Sequence, residues 1–350
     1  MKKLFTLFLV TLSVFIFAAE PSGYYNNAVG KADAALRTSL KTIIAEGHSV
    51  TSYNGLWTAY GSTDINPSTG KIWDMYSNCS FTWRTDQNSG TTGAECLNYN
   101  REHSIPQSWF GEASPMVSDA FHVYPTDSKV NGIRGSYPFG EVGSATNTTG
   151  NGSKLGSSSF SGYSGTVFEP INEYKGDFAR TYFYMATRYS GACENWSGGV
   201  FSSSFSGLSA YAKDIFLKWH RQDPVSIKEK NRNNTVESVQ HNRNPFIDHP
   251  ELAEFIWGTR KGEPWSLVSA IDKVKIAFSV SPNPVQNELT INSDESNLAY
   301  SIYNLSGQLI KEDQLSISKT ISLEQLNNGM YLLQLKSGNR KSIQKFIVSK

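Results

Sequence analysis

The texture of this chain changes once, near Phe278, and that change limits the possible folds more than any other feature. All 8 tryptophans, all 3 cysteines and all 6 histidines lie before it. After it come short runs in which apolar and polar residues alternate: Glu288–Asn292, Ala299–Tyr303, Gly307–Ile310, Thr320–Leu323, Met330–Leu335 and Lys345–Val348. Asn304-Leu305-Ser306-Gly307, Asn327-Asn328-Gly329 and Ser337-Gly338-Asn339 supply turns between them. Period-two runs separated by such turns read as strands, and strands this short and this regular suggest a small β-sandwich. A second domain is therefore expected at 280–350, after a linker at 269–279, with the break inside Val268–Val280. The 350 residues suit two domains at the usual ~100–200 residues each.

The part before the break is core-forming. The chain is 39% hydrophobic, 13% aromatic and only 18% charged, which argues against disorder or a coiled coil. Phe178, Tyr182, Met185 and Tyr189 recur with helical period, as do Leu208, Ala212, Ile215 and Trp219. Both stripes are expected to be packing helices. The formal net charge of +1 excludes a polycation that would coat nucleic acid or an acidic membrane. Residues 20–268 are slightly acidic, so a polyanionic partner would have to be met by a basic face alone. Lys218, Arg221, Lys228, Lys230, Arg232 and Arg243 lie in one stretch, interspersed with Asp223, Glu229 and Glu237. That stretch reads either as a solvated helix and loop or as the wall of a groove.

The amino terminus carries an export signal. Met1-Lys2-Lys3, the apolar run Leu4–Phe17 and Ala18-Ala19 have the order of a cleaved signal peptide, expected at 1–19. The run is shorter than the roughly 20 residues that a membrane span requires. The mature chain is expected to be secreted and to keep no span. An oxidising destination permits a disulfide, and Cys79–Cys96, closing a loop around the turn-rich Asn88–Gly93, is the preferred pair. The alternative is free thiols in the core. Cys193 is the odd one out.

The densest polar cluster runs Asn98-Tyr99-Asn100-Arg101-Glu102-His103-Ser104-Ile105-Pro106-Gln107-Ser108-Trp109-Phe110. A second runs from Ser118-Asp119-Ala120-Phe121-His122 through Pro125-Thr126-Asp127 to Asn131 and Arg134. Imidazole titrates near neutrality and suits a general base. Carboxylate and amide oxygens suit a hard cation such as Mg²⁺. Thr126 or Asp127 is placed to cap a short helix, which would put Asn131 about one turn inside it. A hairpin bearing the base, followed by a helix offering an oxygen ligand, is a compact metal site.

These residues resemble the bacterial endonuclease I family, secreted nucleases of the His-Me finger (ββα-metal) type. The resemblance rests on Arg101-Glu102-His103 with Pro106 and Ser108-Trp109-Phe110, then Asp119, His122, Pro125, Asp127, Asn131 and Arg134 in order. Trp73-Asp74-Met75-Tyr76, Phe168-Glu169-Pro170, Lys175-Gly176-Asp177, Trp219-His220 and the segment from Gln240 to Pro250 agree with it. It extends over roughly residues 25 to 260, and it implies an α+β fold: a mixed helical nuclease domain around a ββα-metal core. It also implies a metal-dependent, largely non-specific phosphodiester hydrolase that cuts DNA, and RNA as well, leaving 5′-phosphate ends. His103 would be the general base, and Glu102 and Asn131 would hold a single ion, Mg²⁺ or alternatively Ca²⁺ or Mn²⁺. Arg134 is the expected catalytic phosphate clamp, with Arg101, Arg180 and Arg243 as further substrate contacts. The tail in turn resembles the C-terminal sorting domain of type IX secretion, through Ser281-Pro282-Asn283-Pro284, Ile302–Gln308, Asn328–Leu333 and the basic close from Arg340. That implies the type IX machinery as a partner.

Rival readings are weaker. A metalloprotease would want His-Glu-x-x-His, which the sequence lacks. A hydrolase built on Cys96 or Cys193 would need an exposed thiolate. A non-catalytic surface adhesin is the alternative of a different class. The enzyme is expected to act as a monomer.

Overall fold

A computed structural model describes residues 20–350 apart from 92, 205, 268–275, 297, 306, 316–318, 338 and 339. The expected signal peptide and most of the expected linker lie outside the described residues. The chain divides into two compact units, Met1–Ser266 and Leu267–Lys350.

The first unit mixes helices with small sheets. In order it contains α1 (Asp33–Ala45), α2 (Gly55–Thr63), β1 (Ile65–Asn66), β2 (Lys71–Ile72), β3 (Tyr99–His103), β4 (Val123–Asp127) and α3 (Ser128–Arg134). Then come β5 (Val142–Thr148), β6 (Lys154–Ser158), β7 (Thr166–Glu169), α4 (Lys175–Arg188), α5 (Ala210–Gln222), α6 (Ile227–Gln240), α7 (Pro245–Asp248) and α8 (Leu252–Ile256). The strands pair antiparallel as β1-β2, β3-β4 and β5-β6-β7. This is an α+β arrangement.

Both aromatic stripes form helices, with Tyr189 falling just after α4 and Leu208 just before the cap of α5. Phe178, Tyr182 and Met185 lie on α4 and Ala212, Ile215 and Trp219 on α5, all buried. Ser209 caps α5 by accepting from the Ala212 amide. The stripe understates α4, because every residue from Lys175 to Thr187 is buried. A helix sunk this deeply must pair its own charges. Lys175 meets Glu169, Asp177 meets Lys228, and Arg180 meets Glu229.

Those pairs decide the two readings of the basic stretch. Lys218 bonds Glu141, Arg221 bonds Glu254, and Arg232 pairs with Asp64. Arg243 is held between Glu237 and Asp248. Lys228, Arg232 and Arg243 are buried in their ion pairs, which removes the groove-wall reading for those three, whereas Lys218 and Arg221 are paired but stay partly exposed.

Asp127 ends β4 and caps α3. Its Oδ1 accepts from the amides of Lys129 at 2.8 Å and Val130 at 3.1 Å, and its Oδ2 from Cys96 at 2.6 Å. The hairpin strand therefore passes directly into a helix, as the residue types suggested. The Cys96 amide stands beside the expected disulfide, which joins Cys79 and Cys96 across a Cα separation of 5.1 Å.

The second unit holds β8 (Ser279–Ser281), β9 (Glu288–Asn292), β10 (Ala299–Asn304), β11 (Leu309–Gln314), β12 (Thr320–Ser322), β13 (Gly329–Ser337) and β14 (Arg340–Val348). Two antiparallel sheets, β11-β10-β13-β14 and β12-β9-β8, share one core that includes Leu289, Ile291, Ile302, Leu333, Leu335 and Phe346. This is the expected sandwich. One strand is displaced from its expected place: Gly307 sits in the turn at φ +81°, and β11 runs on through Lys311-Glu312-Asp313. Charged residues hide a strand from an alternation pattern when, as here, the strand lies at a sheet edge and stays exposed.

Candidate active site

Side chains alternate along β3, so Asn100 and Glu102 share one face and Arg101 and His103 the other. The strand pairs with β4 in the register Arg101↔Pro125, Glu102↔Tyr124 and His103↔Val123. Helix α3 closes over the first face. The Asn131 amide nitrogen donates to Asn100 Oδ1 at 2.8 Å, which leaves its Oδ1 as the oxygen available to a ligand. One turn on, Arg134 reaches the same strand. Its Nη1 lies 2.9 Å from Glu102 Oε1 and donates to the His103 carbonyl at 2.8 Å, while Nη2 donates to the Ser104 carbonyl at 2.6 Å.

Glu102 receives a second donor on that same oxygen, from Tyr76 Oη at 2.8 Å. Its Oε2 is then the carboxylate oxygen without a protein donor among the described residues. Burial pushes the Glu102 carboxyl up to about 7, against the opposing pull of Arg134 and Tyr76. Tyr76 is itself positioned through Asp74, which accepts from the Tyr76 amide at 2.7 Å and the Asp127 amide at 3.0 Å. One carboxylate oxygen and one amide oxygen, each with its partner atom held by protein, are donor types that suit a hard cation.

His103 ends β3, and its Nε2 meets the Val117 carbonyl at 2.9 Å. A carbonyl only accepts, so Nε2 carries the proton and Nδ1 keeps the lone pair. Burial first, and then the neighbouring His122, push the imidazole down to about 3, so it is neutral at physiological pH. A neutral imidazole with one nitrogen tied back is able to take a proton at the other.

The arginines divide differently from the sequence expectation. Arg134 is at the site but 1% exposed, with its guanidinium bonded to Glu102 and two backbone carbonyls, so it braces the strand and does not present a phosphate fork. Arg180 is fully buried on Glu229, and Arg243 is 2% exposed between Glu237 and Asp248; neither is brought to the site. The desolvation of each guanidinium is offset by carboxylates, distant in sequence for Arg134 and Arg180 and within six residues for Arg243. Arg101 stays partly exposed, with its Cζ 3.5 Å from the Tyr53 ring centroid and 4.5 Å from that of Trp57. Tyr76, Tyr53 and the Val117 carbonyl escaped sequence reasoning. Only the upstream Trp73–Tyr76 segment carried any signal for them.

The other chemistries find little support in these side chains. Among the described residues, the one group of three close His, Cys, Asp or Glu ligand atoms is Cys79, Cys96 and Asp127, and its two sulfurs are joined to each other. Cys193 is buried, and burial pushes its thiol up to about 12. Iodoacetamide at pH 8 is therefore expected to leave the native enzyme unlabelled at Cys193 and fully active; rapid labelling with loss of activity would restore the cysteine reading.

The family described as Endonuclease I matches residues 32–251, and the family described as Secretion system C-terminal sorting domain matches 279–349. An extracellular ribonuclease of Bacillus amyloliquefaciens is 38% identical over 260 residues, covering 72% of this chain and 84% of the relative. The extracellular ribonuclease of Bacillus subtilis (strain 168) is 35% identical, covering 68% and 80%. A periplasmic deoxyribonuclease of Aeromonas hydrophila is 28% identical over 137 residues, 39% of this chain and 50% of the relative. Nucleases of the endonuclease I family generally depend on a divalent metal. With its hairpin, helix and buried histidine in that matched region, the chain belongs to the endonuclease I family: it is a secreted endonuclease ending in a type IX sorting domain.

Proposed function

We propose that this enzyme hydrolyses phosphodiester bonds of both RNA and DNA, using β3, β4 and α3 as a ββα-metal (His-Me finger) core. The observation that carries the reading is the His103 tautomer: Nε2 is bonded to Val117 and Nδ1 is the basic nitrogen, one residue from Glu102. In this reading His103 Nδ1 removes a proton from water as the water oxygen attacks phosphorus. The P–O3′ bond breaks and the departing O3′ takes a proton from solvent water, leaving 5′-phosphate and 3′-hydroxyl ends. Glu102 Oε2 and Asn131 Oδ1 would hold one divalent ion, Mg²⁺ with Mn²⁺ or Ca²⁺ as substitutes. When bound, that ion supplies Lewis-acid stabilisation of charge on the phosphate and the departing oxygen.

Arg134 and Tyr76 keep the Glu102 carboxylate aimed from behind, and Asn100 does the same for Asn131. None of these assignments uses a base edge, so cleavage is expected at many sequences. RNA stands beside DNA because the longer matches are to proteins named ribonucleases and the shorter one to a deoxyribonuclease. The reading needs no group from a second copy, and action as a monomer is proposed with it.

The test is digestion of total RNA and of plasmid DNA with Mg²⁺, Mn²⁺ or Ca²⁺, each with and without excess EDTA. Both substrates should be cut with metal, and EDTA should abolish cleavage until metal is restored. Undiminished activity in EDTA would refute the metal assignment. Cleavage of only one substrate would narrow the substrate class.

A further inference from the structure

His103 is held by more than its hydrogen bond. One N–H···O contact leaves an imidazole free to swing about that bond, so the ring faces decide where Nδ1 points. Phe110 and His122 lie 6.5 and 5.5 Å away, centroid to centroid, at 56° and 57°. Tyr53 lies 5.6 Å away at 32°, the most nearly parallel of the three. It comes from the segment before α2, outside the hairpin, and it is partly exposed where Phe110 and His122 are buried.

The strand that carries His103 also grips this tyrosine. Arg101, two residues earlier and on the same face of β3, stacks its guanidinium on the Tyr53 ring at 3.5 Å and on Trp57 at 4.5 Å. Its Nη1 also donates to the Tyr53 carbonyl at 2.7 Å and to Asn54 Oδ1 at 3.3 Å. Trp57, Arg101, Tyr53 and His103 thus form a chain of ring and guanidinium contacts. Tyr53 is held by Arg101 on one side and leans on the imidazole.

We propose that Tyr53, gripped by Arg101, is a positioning residue that orients the His103 imidazole for proton transfer. The proposal rests on His103 being the base. Misplacing a catalytic group by about 1 Å costs on the order of 100-fold in rate. Tyr53→Leu should therefore lower kcat about 10- to 100-fold with little change in KM. Tyr53→Phe, which keeps the ring, should retain wild-type kcat. Arg101→Met, which releases the ring without opening the core, should lower kcat as Tyr53→Leu does, and it serves if the leucine variant does not fold.

The decisive readout is the double variant. Adding Tyr53→Leu to His103→Ala should cause no further loss, because a residue acting through the imidazole has nothing left to position. A folded Tyr53→Leu enzyme with wild-type kcat would overturn the proposal. So would a rise in KM alone, an equal loss in the phenylalanine variant, or a full additive loss without His103. Should His103→Ala itself remain active, the base assignment fails first, and that failure is seen before Tyr53 is altered.

Discussion

Replacing His103 with alanine should lower kcat by about two to four orders of magnitude, the range that a positioned general base contributes. On the proposed reading the imidazole meets only the attacking water, so KM should change little. The side chain is nearly buried and bonded to Val117, so the alanine variant also opens a small cavity. His103→Gln separates the two effects, because it fills the space and keeps a donor but has no basic nitrogen. Single-turnover cleavage of plasmid DNA and of RNA, with thermal unfolding of each variant, is the measurement. Both variants should be folded and both should be slow. Wild-type rates in either folded variant would remove His103 from the chemistry.

Arg134→Ala should behave quite differently, as a loss of fold. Its guanidinium neutralises Glu102 and bonds the carbonyls of His103 and Ser104, all out of water. Removing one partner of a buried ion pair leaves the other desolvated and uncompensated, at a cost of about 3–5 kcal/mol. That is a large part of the usual total for a domain, about 5–15 kcal/mol. Urea unfolding should show the midpoint falling steeply, with activity lost alongside. Arg134→Lys keeps the charge but not the fork, so it should fall between. A stable Arg134→Ala enzyme with raised KM would reverse the assignment and return this arginine to the phosphate.

Much of the architecture was legible because it is local. The stripes on α4 and α5, the alternating runs of β9, β10 and β13, and the cap that Asp127 makes for α3 depend on residues a few positions apart. Period and capping chemistry act over that range. The disulfide was legible from the spacing of two cysteines around a turn-rich loop in an exported chain. At the site, the chemical types were legible too: an imidazole, a carboxylate and an amide on a hairpin and the helix after it.

The arginines were not. Arg180 finds Glu229 forty-nine residues away, and Arg134 finds Glu102 across the hairpin. In sequence these four arginines look alike, because charge is written there and its partner is not. Likewise nothing near His103 announces that the Val117 carbonyl will choose its tautomer or that Tyr53 will lie against its ring.

The two aromatic helices, the step from hairpin strand to helix at Asp127 and most of the tail strands followed from the sequence alone, because backbone propensity and side-chain type belong to each residue and its near neighbours. Which cations are buried in ion pairs, which imidazole nitrogen carries the proton and which Glu102 oxygen is engaged were decided by the tertiary structure. Those properties come from hydrogen bonds and desolvation, and both arise only when distant segments pack together.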